Sequence, residues 1–167
     1  MNSGKVVLAL TIGLALTACS QEKAADFAGI SMKSDRAELE SNGFVCKDVT
    51  LKDKQILSCK NFEMTASVFG YDVRGVEVTF AQGQKSPYRI AVNANQQINT
   101  TEKMMSLFSE LDKYYESIAE KSITMPNAVV RQWKTKDSNV LQFTYIQGVP
   151  GLLESSVMLS LNSTKNH

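Results

Sequence analysis

Cys19, Cys46 and Cys59 carry the most distinctive chemistry in this chain. A thiol can be acylated, oxidised to a disulfide or bound to a metal as thiolate, and its neighbours decide which. Cys46 and Cys59 have twelve residues between them and no Cys-x-x-Cys occurs, so a redox-active pair is disfavoured. A structural zinc site needs four ligands. The single histidine is the terminal His167, so two thiolates would lack partners and no metal is expected. His167 is also a poor base for a serine or cysteine nucleophile, which needs one beside it. Neither Gly-x-x-x-x-Gly-Lys-Ser/Thr nor Gly-x-Gly-x-x-Gly is present, which removes the phosphate cradles of nucleotide folds. Acids remain, at Glu38, Glu40, Glu63, Asp72, Glu77 and Glu154, and a glycosidase needs only two. Scattered acids are ordinarily solvated surface, so no enzymatic activity, no cofactor and no small-molecule substrate are expected.

The first nineteen residues supply the context for Cys19. Lys5 precedes an apolar run from Val6 to Leu16, the anatomy of a signal peptide. Eleven residues fall short of the roughly twenty needed to span a bilayer as a helix. The run ends in Leu16-Thr17-Ala18-Cys19, which resembles the bacterial lipobox. That resemblance implies lipid on the Cys19 thiol and cleavage before it, so the partner of the amino terminus is a membrane. Ser20 comes next in place of Asp, which in lipoproteins of enteric type implies the outer membrane, with the protein facing the periplasm. Ordinary secretion with Cys19 merely nearby is the alternative. The expected organisation is a lipoprotein signal peptide over 1–18, lipidated cysteine and tether over 19–27, and a periplasmic domain over 28–167.

Removing residues 1–18 leaves 167 − 18 = 149 residues, enough for one domain with a real core. The basic residues fall from 18 to 17 with the loss of Lys5 and meet 17 acids. No basic stripe or block exists for a phosphate backbone, so nucleic acid is not an expected partner.

Once Cys19 is lipidated, Cys46 and Cys59 remain in an oxidising compartment and should pair. Phe44 to Leu51 and Lys54 to Phe62 read as strands around Lys52-Asp53. With those two residues as the loop, pairs sum to 105, and Cys46 stands opposite Cys59 at a non-hydrogen-bonded position, where Cβ atoms approach most closely. Lys-Asp is not a favoured tight-turn dipeptide. A longer loop with a diagonal bridge is the alternative.

Asp35 with Glu38 resembles a capping box, and Gly43 ends a short helix over about Ser34 to Asn42. Met64, Ala66 and Val68, then Val76, Val78 and Phe80 beyond Gly70 to Gly75, then Tyr88, Ile90 and Val92 after a loop at Gln82 to Pro87, alternate as strands do. The second half opens with a long helix predicted from about Thr100 to Glu120, because Met104, Leu107, Phe108, Leu111, Tyr115 and Ile118 recur at spacings of three and four. Asn99 or Thr101 would cap it. Strands are expected over Ala128 to Lys134, Asn139 to Ile146 and Leu153 to Leu161. A shift of 84 lays the hairpin around Lys52-Asp53 on the one around Lys136-Asp137, which suggests repeats of about 28–97 and 98–167.

A capped helix, Gly43-Phe44-Val45-Cys46 entering a strand, and a cysteine in the next strand, all behind a lipobox, resemble small envelope lipoproteins of the SmpA/OmlA type. A tandem arrangement resembles the related β-lactamase-inhibitor-protein fold group. The resemblance covers roughly Phe27 to Asn93 and implies an α+β body that binds other proteins. The fold expected is α+β, an antiparallel sheet packed by one long and one short helix with a tandem helix-hairpin duplication. The function expected is that of a lipid-anchored, non-catalytic envelope protein binding an unknown envelope protein. An inhibitor, toxin-immunity or phage-exclusion lipoprotein is the alternative.

Interface anchors are enriched in aromatic residues. Phe69 and Tyr71 are the partner-binding candidates, since Phe69 departs from the Met64-Ala66-Val68 face and Tyr71 sits in a glycine-flanked turn. Trp133 shares a face with Val129 and Arg131, and a lone tryptophan is more often core.

Overall fold

The computed structural model describes Phe27 and residues 29–95 and 97–165. Cys19, Ser20, His167 and the leader with its lipobox lie outside the described residues.

The chain runs through α1 (Arg36–Ser41), β1 (Val45–Leu51), β2 (Lys54–Val68), β3 (Tyr71–Ala81), β4 (Arg89–Asn93), α2 (Thr101–Leu111), β5 (Glu116–Ser117), a 3-10 turn (Ala119–Lys121), β6 (Ile123–Met125), β7 (Ala128–Lys134), β8 (Val140–Ile146) and β9 (Ser156–Asn162). All nine strands join one antiparallel sheet in the order β1-β2-β3-β4-β9-β8-β7-β5, with β6 also on β7. The last strands of the two halves, β4 and β9, therefore pair at its middle.

The expected α+β body with a long helix is corrected by this architecture. The sheet is the organising element, and the described helices are short, at 6 and 11 residues. Helix α2 begins at a Thr100 cap and stops at Leu111, nine residues before the predicted end. Asp112 then accepts bonds from Trp133 Nε1 at 2.7 Å and from Arg131 at 2.8 Å. Glu116 and Ser117 leave the helix to pair with Lys134 and Trp133, and the Ile118 amide donates to the Gln132 carbonyl at 2.8 Å. Tyr115 is buried as its spacing suggested, but through a turn. Sheet pairing has overridden a helical pattern, as tertiary context often does.

Helix α1 obeys its local signals. The Asp35 carboxylate accepts the Glu38 amide at 2.9 Å. Gly43, at φ 80°, closes the helix: its amide donates to the Glu40 carbonyl and that of Phe44 to the Leu39 carbonyl, and Phe44 packs down with the buried Leu39. Phe27, expected in the tether, is fully buried and belongs to the body.

The β1–β2 hairpin has the two-residue loop, with Lys52 and Asp53 both at positive φ, and Cys46 opposite Cys59. The two are disulfide-bonded, with Cα atoms 3.9 Å apart, as at a narrow non-hydrogen-bonded pair. The suggested duplication does not survive in this form. The second hairpin closes at Lys134 and Val140 over a five-residue loop and pairs Val129 with Tyr145, whereas the shift of 84 would bring it opposite residue 144. A one-residue slip exchanges the faces of a strand.

Register fixes which side chains share a face. One row crosses the sheet as Cys46, Cys59, Val78, Ile90, Leu161, Leu141 and Trp133, and every member but Cys46 is buried. Leu39 of α1 and Leu107, Phe108 and Leu111 of α2 belong to the same cluster, so both helices cover this side. Phe108 meets Phe143 edge-on at 5.0 Å and Trp133 at 5.7 Å.

Candidate binding face of the sheet

The opposite face carries a second row: Val45, Lys60, Glu77, Ala91, Ser160, Gln142 and Gln132. No described helix lies over it. Its polar groups bond to one another, some across strands and some along one. Glu77 accepts Ser58 Oγ at 2.9 Å and pairs with Lys60 Nζ at 3.1 Å. Gln132 donates to Gln142 at 2.5 Å, Gln142 to Thr144 at 2.9 Å and Asn162 to Ser160 at 3.1 Å. These bonds hold the longer polar side chains in place, while the small side chains of Ser58, Ala91 and Ser160 are buried between them. Glu40 raises the pKa of Arg36 and Glu110 that of Lys113, each through a hydrogen bond and charge, and both pairs stand on or beside the helices of the covered side.

Large apolar side chains interrupt this polar face. Phe62 is 69% exposed and Val45 61%, with Val49 and Leu51 also exposed along β1, and Ile123, Met125 and Ile146 exposed near the other margin. Phe62 owes its position to a bulge. Pairing of β2 with β3 slips between Asn61 and Thr65, and that of β3 with β4 slips between Arg74 and Val76, where Gly75 takes φ 77°. An extra residue in one strand bends it and re-aims the side chains beyond it. Before the bulge the odd residues Leu57 and Cys59 face the core, and after it the even residues Met64, Ala66 and Val68 do. Phe62 falls at the switch and lies against Gly75.

A groove of about 450 Å³ opens here, among Phe62, Asp72, Arg74, Asn95, Glu154 and Met158. Of the six acids noted in the sequence, Asp72, Glu77 and Glu154 line it, while Glu63 pairs with Arg74 at its side. Among the described residues no group of three His, Cys, Asp or Glu side chains is placed to hold a metal ion.

The candidates Phe69 and Tyr71 are not on this face, and their expected freedom is corrected. With Gly70, Phe69 forms a two-residue turn at positive φ, and β3 already begins at Tyr71. The turn carries both side chains onto the core side. There Phe69 meets Phe27 edge-on at 6.5 Å and Tyr115 at 6.0 Å. Tyr71 donates to the Lys103 carbonyl of α2 at 3.4 Å. Both are half-buried packing residues. Trp133 is fully buried, as its sequence pattern implies. The exposed aromatic that the alternation does not single out is Phe62, although it shares its parity along β2 with Ser58 and Lys60, and an aromatic in a polar register is a usable signal.

Within the described residues no helix is long and apolar enough to cross a membrane. Comparison with protein-family models, with curated proteins and with solved structures finds no match to this chain.

Proposed function

We propose that this chain is a lipid-anchored, non-catalytic protein of the bacterial envelope that binds another protein through the open face of its sheet. The observation that carries the binding reading is the combination on that face of a cross-bonded polar lattice with exposed large apolar side chains, Phe62 foremost. Exposed apolar side chains grouped beside polar ones on one face are a usual mark of an interaction site. The anchor rests on Leu16-Thr17-Ala18-Cys19 and the outer-membrane destination on Ser20. The Cys46–Cys59 bridge is in keeping with an oxidising compartment. Acyl chains contribute about 0.8 kcal/mol per buried methylene, so more than one chain makes attachment lasting.

Two measurements test this separately. Labelled palmitate should enter the wild-type protein and not Cys19→Ser; equal incorporation would remove the anchor. A photo-crosslinking residue at Gln132 or Val45 should capture a discrete envelope protein, whereas one at Lys113, beside α2, should not. Equal capture from both sides would remove the open face from its role.

A further inference from the structure

Beside the groove, the loop between β8 and β9 is a second feature that folding does not explain. Val149, Leu152 and Leu153 are all exposed, the last two by 81% and 71%, yet the loop is tightly built. Val149 and Leu152 close a turn through a 2.9 Å bond, with Pro150 and Gly151 at its centre and Gly151 at φ 80°, the pattern of a type II turn. The Gly148 amide donates to Ser155 Oγ, and a side chain at Gly148 would meet the Leu153 carbonyl oxygen at 2.1 Å. Asn95 ties the loop's end to the sheet, donating to the Ser155 carbonyl and accepting from the Val157 amide. A fixed loop thus holds leucines in water next to Glu154, which lines the groove as Phe62 does.

The charge of the groove is one-sided. Arg74 is paired with Glu63, and Glu77 with Lys60. The carboxylates of Asp72 and Glu154 have no hydrogen-bond or ion-pair partner among the described residues. Two acidic groups without an ion-pair partner, in a lining that includes Phe62 and Met158 and with the exposed Leu152 and Leu153 immediately before Glu154 in the chain, complement a segment that is both apolar and positively charged.

We infer that this groove takes a basic, apolar peptide segment of a partner protein, its Lys or Arg facing Asp72 and Glu154 and its apolar side chains held by Phe62, Leu152 and Leu153. This rests on the protein-binding function proposed for the open face and narrows it. Acidic charge beside the leucines argues against a bilayer surface as occupant, because envelope leaflets carry anionic lipid that would be repelled.

The test is a random twelve-residue peptide library displayed on phage and panned on the purified, oxidised full-length protein. Enriched peptides should combine Lys or Arg with aromatic or branched apolar residues. Their binding should fall roughly tenfold or more with Phe62→Ala. In Asp72→Lys/Glu154→Lys the preference should turn to acidic peptides. All of these positions are exposed, and unchanged thermal melting checks that the variants fold. No enrichment, enrichment indifferent to charge, or binding that survives Phe62→Ala would overturn the inference. So would a blue shift of an environment-sensitive dye at Leu152→Cys on phosphatidylethanolamine–phosphatidylglycerol vesicles without any peptide selection, which would make the loop a membrane contact. If the groove fails while crosslinks from Gln132 or Val45 persist, docking on the open face stands and only its position and chemistry change.

Discussion

The two faces of the sheet are built from the same strands, residue beside residue, yet they solve different problems. On the covered face Val78, Ile90, Leu161, Leu141 and Trp133 lie side by side across five strands beneath both helices. On the open face their immediate neighbours, Glu77, Ala91, Ser160, Gln142 and Gln132, are polar or small, and the polar ones bond to one another or to neighbouring side chains. Burial of apolar area drives folding on the first side. The second contributes little of that, so its large apolar side chains are available to another molecule. The contrast teaches that Phe62 and Phe69, seven residues apart in one hairpin, differ because Phe62 lies at a bulge that leaves it exposed while Phe69 lies in the tight turn and packs against Phe27 and Tyr115.

The largest expected effect is on the covered side. Trp133→Ala should lower stability by roughly 3–5 kcal/mol in chemical denaturation, while Gln142→Ala, one strand away on the open face, should cost no more than about 1 kcal/mol. Equal losses would abolish the distinction. Next comes the bridge at the margin of the core row. Cys46→Ala and Cys59→Ala should each cost about 3 kcal/mol, the value for closure of a loop of this size. The double change should add little, and free thiols at both positions in periplasmic material would contradict the pairing. A smaller effect is expected at Asp112, which satisfies the indole of Trp133 and pairs with Arg131. Removing it as Asp112→Ala strands a buried donor, so the melt should show a loss of about 1–3 kcal/mol. A neutral result would mean that water replaces the carboxylate.

How much of the molecule is legible in its residues depends on the range of the forces involved. The α1 cap at Asp35 and Gly43, the hairpin register summing to 105 and the disulfide all depend on residues near in sequence, and local chemistry specifies them. Periodicity overextends helix α2 because Tyr115 and Ile118 keep a helical spacing, while the competing partners, Arg131, Trp133 and Lys134, come from a strand later in the chain. Alternation misplaces Phe69 because it is a turn residue at positive φ, where the strict side-to-side alternation of a strand no longer applies. The groove draws on β2, β3, β4, β9 and the loop before β9, which meet only through strand order, so no local pattern announces it.

The smallest expected change in stability is also the most telling. Phe62→Ala, at an exposed site, should shift unfolding by no more than about 0.5 kcal/mol, whereas Phe69→Ala removes the ring between Phe27 and Tyr115 and should destabilise measurably. The decisive measurement is partner capture per folded molecule for these two variants, crosslinked in envelopes from the same open-face position. The account predicts that Phe62→Ala loses most capture and keeps its melting profile, while Phe69→Ala keeps capture and melts earlier. Full capture by Phe62→Ala together with lost capture by a well-folded Phe69→Ala would contradict it.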